Sequence, residues 1–133
     1  MPDILFKTIH PKILYFGTPV ALITTIDEYG HPNIGPMSSV WALGYKLVLG
    51  LGCDGKTFEN LVAQKEWGVN IPSPDLYQNI ESIARLTGKY PVPDDKKELY
   101  RYEPDKFACG GFTAINSQIV KPPAMADCPI QLE

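Results

Sequence analysis

Residues 19–26 read PVALITTI, residues 33–40 read NIGPMSSV, and the six residues between them decide how the chain folds. Pro19 to Ile26 is a β-branched, nearly continuous apolar run, the pattern of a strand covered on both faces. Asp27-Glu28-Tyr29-Gly30-His31-Pro32 is short and rich in turn formers, so the next segment is expected to return as a hairpin. The return, Asn33 to Val40, carries Pro36. A proline removes a ladder donor, so this segment cannot be a clean central strand throughout.

Working outward, Tyr45 to Leu51 reads as a third strand ending at Gly50 and Gly52. A helix is expected to start near Thr57 as its N-cap, with Phe58, Leu61 and Val62 on one face. Trp67 to Ile71 is a fourth strand. A second helix is bounded by Ser73 as N-cap, Pro74 in the first turn and Asp75 where the helix dipole favours an anion. Leu76, Ile80, Ile83 and Ala84 repeat at helical spacing, and Gly88 supplies the stop. Lys89 to Gly111 is rich in Pro, Tyr and charge, with a short helix at 94–99; connections this long are commonly functional. Thr113 to Val120 reads as a strand stopped by Lys121-Pro122-Pro123. The last residues, Cys128-Pro129-Ile130-Gln131-Leu132-Glu133, look like a strand that has just begun, so further strands are expected beyond this chain's end.

The order is strands with two helices inserted, not βαβαβα. No G-x-G-x-x-G follows a strand and no G-x-x-x-x-G-K-[ST] occurs, which excludes a Rossmann or P-loop reading. A mainly β barrel or two-sheet domain is the physical default.

At 133 residues the chain fits one domain. Its net charge of −3 and the lack of a Lys/Arg cluster beyond Lys96-Lys97 leave no electrostatic footprint for nucleic acid or a membrane surface. Three cysteines without C-x-x-C spacing and two distant histidines argue against a disulfide framework and a zinc site. No basic leader and no membrane-length apolar run is visible, and a reducing, cytoplasmic setting is expected.

Two segments can carry chemistry. Asn33 to Ser39 is a strand interrupted by Gly35 and Pro36 and followed by two hydroxyls. Such a break frees backbone groups to bond a planar heterocycle or a phosphate, or it merely bends an edge strand at a bulge. Gly52-Cys53-Asp54-Gly55-Lys56-Thr57-Phe58-Glu59-Asn60 is a glycine-rich turn entering a helix N-terminus. Lys56 adds a charge and Thr57 a hydroxyl, so it reads either as an anion cradle or as an ordinary capped helix. Asp94 to Glu98 reads as a solvated surface. Trp41, Trp67 and the tyrosines read as core and interface, and His31 as an exposed turn residue. Cys53 reads as a bland thiol, with a redox role beside a flavin as the other possibility.

Taken together, ILYFGTPV at 13–20, PNIGPMSS at 32–39 and GKTFENL at 55–61 resemble the flavin reductase-like, FMN-binding split β-barrel family. ARLTG at 84–88, PDKF at 104–107 and CPIQLE at 128–133 follow in the same order, so the resemblance covers nearly the whole chain.

That resemblance implies a mainly β split barrel with inserted helices, lacking its last strands here. It implies FMN against Pro36, Met37, Ser38 and Ser39, with Lys56, Thr57 and Asn60 at the phosphate. Where many relatives have a basic residue before that loop, this chain has Cys53-Asp54, and Asp54 would repel a phosphate unless it points away. The implied function is an FMN-dependent oxidoreductase, passing hydride from NAD(P)H to flavin and electrons to free flavin or a partner, as a homodimer with the 87–112 segment near the partner's site. No catalytic side chain and no metal are called for, because the chemistry belongs to the cofactor. The alternative is a non-catalytic flavin- or partner-binding module. A pyridoxamine-phosphate-oxidase-like enzyme ranks lower, since it would want a more basic pocket than Lys56 alone.

Overall fold

The computed structural model describes residues 7–13 and 17–133, so Leu14 to Phe16 of the 13–20 segment lie outside the described residues. The apolar run forms β1 (Ala21–Ile26), paired antiparallel with β2 (Pro32–Met37) in the register Ala21 to Met37 through Ile26 to Pro32. The hairpin turn holds because Gly30 takes φ +85° and the Asp27 carboxylate accepts the backbone N–H groups of Tyr29 (2.9 Å) and His31 (2.8 Å). On its other side β1 pairs antiparallel with β5 (Gly68–Ile71), which pairs with β10 (Ile130–Leu132). The sheet order is β10-β5-β1-β2, so the residues at the end of the chain do form a strand.

β1 is buried on both faces, as its composition requires. Leu22 joins Ile34, Ile83, Phe107, Phe112, Met125 and Cys128 in one core. Ala21 and Ile23 join Val69 in a second core, against Met37, Val40, Leu47, Leu49 and Trp67. The first core is closed by α2 (Tyr77–Ile83) and α3 (Lys106–Gly110), the second by a hairpin of β3 (Val40–Leu43) and β4 (Lys46–Leu49). The 45–51 segment is therefore a strand, but it pairs with Val40–Leu43 outside the central sheet.

Several expected boundaries shift. The second helix opens as a 3₁₀ turn at Pro74–Leu76 and ends at Ile83 rather than at Gly88, because the chain turns at once into β6 (Leu86–Thr87). β6 pairs in parallel with β7 (Arg101–Tyr102), which ties the 88–100 excursion at both ends. Its short helix is a 3₁₀ turn at Asp94–Lys96. The 113–120 segment is a strand only at β8 (Ala114–Ile115), paired with β9 (Ala124–Met125). β9 is drawn in by buried Asn70, whose carbonyl accepts Met125 N–H at 2.9 Å while its amide donates to Leu22 O at 3.1 Å. Propensity alone carries no signal for such a side-chain bridge.

β2 is an edge strand, and its free edge is closed by a buried cation. Lys106, 5% exposed, donates its ammonium to Ile34 O at 2.8 Å. Alternate residues of an antiparallel strand turn their backbone groups away from the partner, and Ile34 is of the outward set because Lys106 meets its carbonyl. Pro32 and Pro36 share that parity, so their missing N–H groups remove no ladder bond. Lys106 thereby blocks an edge that would otherwise invite pairing.

Burial lowers the Lys106 pKa to about 8. The folded state therefore holds fewer protons than the unfolded chain between pH 8 and 10.5, and stability rises with pH across that window. From pH 7.5 to 9.5 the expected gain is about 2 kcal/mol. Urea unfolding at the two pH values checks this, with Lys106→Met expected to remove the gain.

Candidate functional site

α1 (Lys56–Gln64) lies on the face of the hairpin that carries Thr25, Asn33 and Gly35. It docks through polar groups. Thr57, 6% exposed, accepts a hydrogen bond from Asn33 Nδ2 at 3.1 Å, and Asn60, 2% exposed, donates from Nδ2 to Thr25 Oγ1 at 3.1 Å. The expected apolar face is not the buried one: Phe58 and Leu61 are only half-buried and Val62 is exposed. Thr57 is not the N-cap either; Gly55 is, which moves Thr57 into the helix, where it can face the strand. The approach is close enough that a Cβ at Gly35 would collide with Thr57 Oγ1.

The expected site residues thus fall in two adjoining groups. Pro36 and Met37 end β2, while Ser38 and Ser39 sit in the break before β3, with Ser39 O accepting Gly50 N–H at 2.7 Å. Pro36, Met37 and Ser38 are half-buried and Ser39 is exposed. Lys56, Thr57 and Asn60 stand on α1, and the two groups meet where Thr57 and Met37 both approach Gly35. Thr57 and Asn60 are already engaged by the hairpin, so Lys56 is the member of its group that opens outward. It lines a cavity of about 550 Å³ together with Pro32, Asn33, Glu59, Gly88 and Tyr90; Pro36 to Ser39 do not line it.

The charges around Lys56 come largely from elsewhere in the chain. Lys56 Nζ lies 2.7 Å from Glu59 Oε1, and the other Glu59 oxygen is taken by Lys89. Asp54 pairs with Lys96 at 2.8 Å, and that hydrogen bond leads in holding its carboxyl below the ordinary value. Asp54 is therefore not a bare anion beside the loop. Asp94 to Glu98 is correspondingly more than solvated surface, since Lys96 reaches back to α1's entrance. Lys89 and Lys106 carried no local signal in the sequence; each acts across 30 or more residues.

Trp41 and several tyrosines differ from expectation, whereas His31 is exposed in its turn as expected. Trp41 is 57% exposed on β3, and Tyr29, Tyr45, Tyr77 and Tyr90 are 59–110% exposed, so these are not core. His31, with its side chain 74% exposed, bonds Asp27 at 3.0 Å. All three cysteines are free, with Cys53 and Cys109 exposed. Buried Cys128 has its thiol pushed up to about 11 by burial and then by Asp127, which makes it inert. Among the described residues no helix is long and apolar enough to cross a membrane.

The family described as "Flavin reductase like domain" matches residues 13–133. An uncharacterized protein of Bacillus subtilis (strain 168), YdfE, is 45% identical over 129 residues, which is 96% of this chain and 62% of that protein. The fold is similar to flavoredoxin of Desulfovibrio vulgaris (Miyazaki F), with a TM-score of 0.76 at 19% identity over 96% of this chain and 64% of that one. It is also similar to a Shewanella frigidimarina NCIMB 400 protein described as a flavin reductase with a split barrel domain, with a TM-score of 0.66 at 20% identity over 86% of this chain and 52% of that one. The chain thus spans between about half and about two thirds of the length of these proteins, at 62%, 64% and 52%.

Gly35→Ala is expected to lower stability by about 1–3 kcal/mol, because the added methyl group must displace Thr57 and its bond to Asn33. Thermal unfolding of the two proteins measures it, and an unchanged midpoint would contradict the packing described.

Proposed function

Because the chain belongs to the flavin reductase-like family, whose match runs over residues 13–133, we propose that it is an FMN-binding oxidoreductase taking hydride from NAD(P)H. The supporting observation is the junction at Gly35. The ladder runs unbroken through Gly35, Pro36 and Met37 rather than being interrupted there. The end of β2, with the Ser38–Ser39 break after it, adjoins the helix start that carries Lys56. The break leaves Ser38 and Ser39 outside both hairpin ladders; Ser39 O is taken by Gly50 N–H, and the two hydroxyls suit hydrogen bonds to a planar heterocycle. At the start of α1, the Lys56 ammonium and the first-turn N–H groups suit a phosphate. These residue types fit FMN at both its ends.

Bound FMN would supply the hydride-accepting chemistry. The chain's own part is positional. Pro36 and Met37 present a rigid, half-buried edge to a planar ring, and Ser38 and Ser39 offer hydrogen bonds beside it. Lys56 neutralises a phosphate, with Thr57 and Asn60 holding α1 so that Lys56 stays at the mouth. Lys106 fixes the β2 backbone immediately before Gly35. We place the protein in the cytoplasm as a single domain and a homodimer. Trp41, Leu43, Tyr45 and Val48, all exposed on the β3–β4 hairpin, suit burial against a second copy.

A second reading, a flavin-binding module without turnover, draws on a different observation. Thr57 and Asn60 already spend hydrogen bonds on the hairpin, and Glu59 competes for Lys56, so phosphate would be held by fewer groups than the motif suggests.

The test is the visible absorbance of protein desalted after FMN addition, then treated anaerobically with NADH or NADPH. Retained flavin that bleaches supports the reductase; retained flavin that does not bleach supports the module; no retained flavin rejects both. Lys56→Met should weaken FMN roughly tenfold while leaving riboflavin, which lacks the phosphate, nearly unchanged. Sedimentation velocity should show a dimer that Trp41→Ser weakens.

A further inference from the structure

Two tyrosine rings and two aspartates line the cavity that Lys56 enters, and the flavin reading uses none of them. The cavity lies between the β1–β2 turn, the start of α1, the bend at 88–90 and the segment at 102–105. Its volume of about 550 Å³ is within the range of small-molecule sites. Tyr90 and Tyr102 pack with ring centroids 5.1 Å apart and planes at 58°, so they form two walls of an open corner rather than a flat stack. They remain 76% and 40% exposed. The chain's own cations do not take their faces: among the described residues, the ammonium that lies over a ring is Lys96, 5.6 Å from the centroid of Tyr100. A free ring face is electron-rich and attracts a cation.

The charge beside these rings has the matching sign. Glu59 is compensated, since it holds both Lys56 and Lys89. Among the described residues neither Asp27 nor Asp105 pairs with a lysine or arginine; Asp27 meets His31, which is a cation only when protonated. Asp27 also accepts the backbone N–H groups of Tyr29 and His31, and Asp105 accepts Ala108 N–H at 3.0 Å as the N-cap of α3. Both carboxylates thus supply negative charge while already serving the fold as acceptors. A primary ammonium or a guanidinium brings several N–H donors that each need an acceptor, whereas a fully methylated ammonium brings charge and no such donor. A metal ion is set aside, because among the described residues no three His, Cys, Asp or Glu side chains gather closely enough to hold one.

We propose that this cavity binds a small quaternary ammonium compound, its methylated head in the corner between Tyr90 and Tyr102 and its charge opposed by Asp27 and Asp105. Ring faces suit such a head, whose charge is spread over methyl groups that slide against an aromatic surface. Lys56 takes no part in holding the head, so the proposal stands apart from the flavin reading.

Choline is the probe, its binding to the purified chain read by saturation-transfer NMR at the N-methyl protons and by titration of the tyrosine ring resonances. Wild type should bind choline. The neutral isostere 3,3-dimethylbutan-1-ol, which has the same shape without the charge, should bind about tenfold more weakly, and ethanolamine, a primary ammonium, should also bind more weakly. Tyr90→Ala and Tyr102→Ala should each weaken choline about fivefold, while Tyr102→Phe, which keeps the ring, should not. Asp105→Asn removes a charge but keeps a side chain able to cap α3, and should weaken choline about threefold. This variant and the ligand comparison on wild type decide the matter should either alanine variant fail to fold. No choline binding by wild type, equal binding of the neutral alcohol, or binding indifferent to both rings overturns the proposal. Ethanolamine binding more tightly than choline overturns it as well, since the site would then select hydrogen-bond donors. FMN binding without choline binding rejects this proposal and leaves the flavin reading standing, and choline binding without FMN binding does the reverse.

Discussion

The contact on which the rest of the molecule depends is the docking of α1 onto the first hairpin through buried amides and hydroxyls. Asn33 to Thr57 and Asn60 to Thr25 are single hydrogen bonds, yet they join residues 24 and 35 positions apart. A greasy helix face would tolerate sliding by a turn, because apolar contact is nondirectional. Two paired polar groups do not, since either one left unpaired in the interior is penalised. Gly35 makes the approach possible by having no side chain where Thr57 must sit. The helix start, and with it Lys56, is therefore held in register with the break in β2.

A second constraint acts from the opposite face. β2 is an edge strand, and its outward backbone groups meet α3 through Lys106 instead of another strand. The prolines at 32 and 36 and the buried lysine solve the same problem, an edge that must neither pair onward nor remain unsatisfied. Between α1 on one face and Lys106 at its edge, the segment leading into Pro36–Ser39 has little freedom.

Charge is organised around this frame rather than concentrated in one motif. Lys56 alone looks like a weak anion site. Folding brings Lys89 to Glu59 and Lys96 to Asp54, so the helix entrance gathers three lysines against two carboxylates. The 88–100 excursion, tied at its ends by the β6–β7 pair, is what delivers the two extra cations and one of the two tyrosines of the adjoining cavity.

The sequence by itself determined the first hairpin, the β1 strand buried on both faces, the fourth strand, the order of strands and helices, and the family. These follow from local causes: β-branched runs, the Asp27–Gly30 turn, and motifs whose residues are near neighbours. Helix ends were less legible. Thr57 looks like an N-cap in isolation, and only the hairpin's need for a hydroxyl at that point makes it a helix residue facing Asn33. The Lys106 bond, the Lys89–Glu59 and Lys96–Asp54 pairings and the Tyr90–Tyr102 ring contact were decided by tertiary structure alone. Each joins groups 12 to 72 residues apart, and the side chains involved look like ordinary surface until the sheet and its flanking segments bring them together.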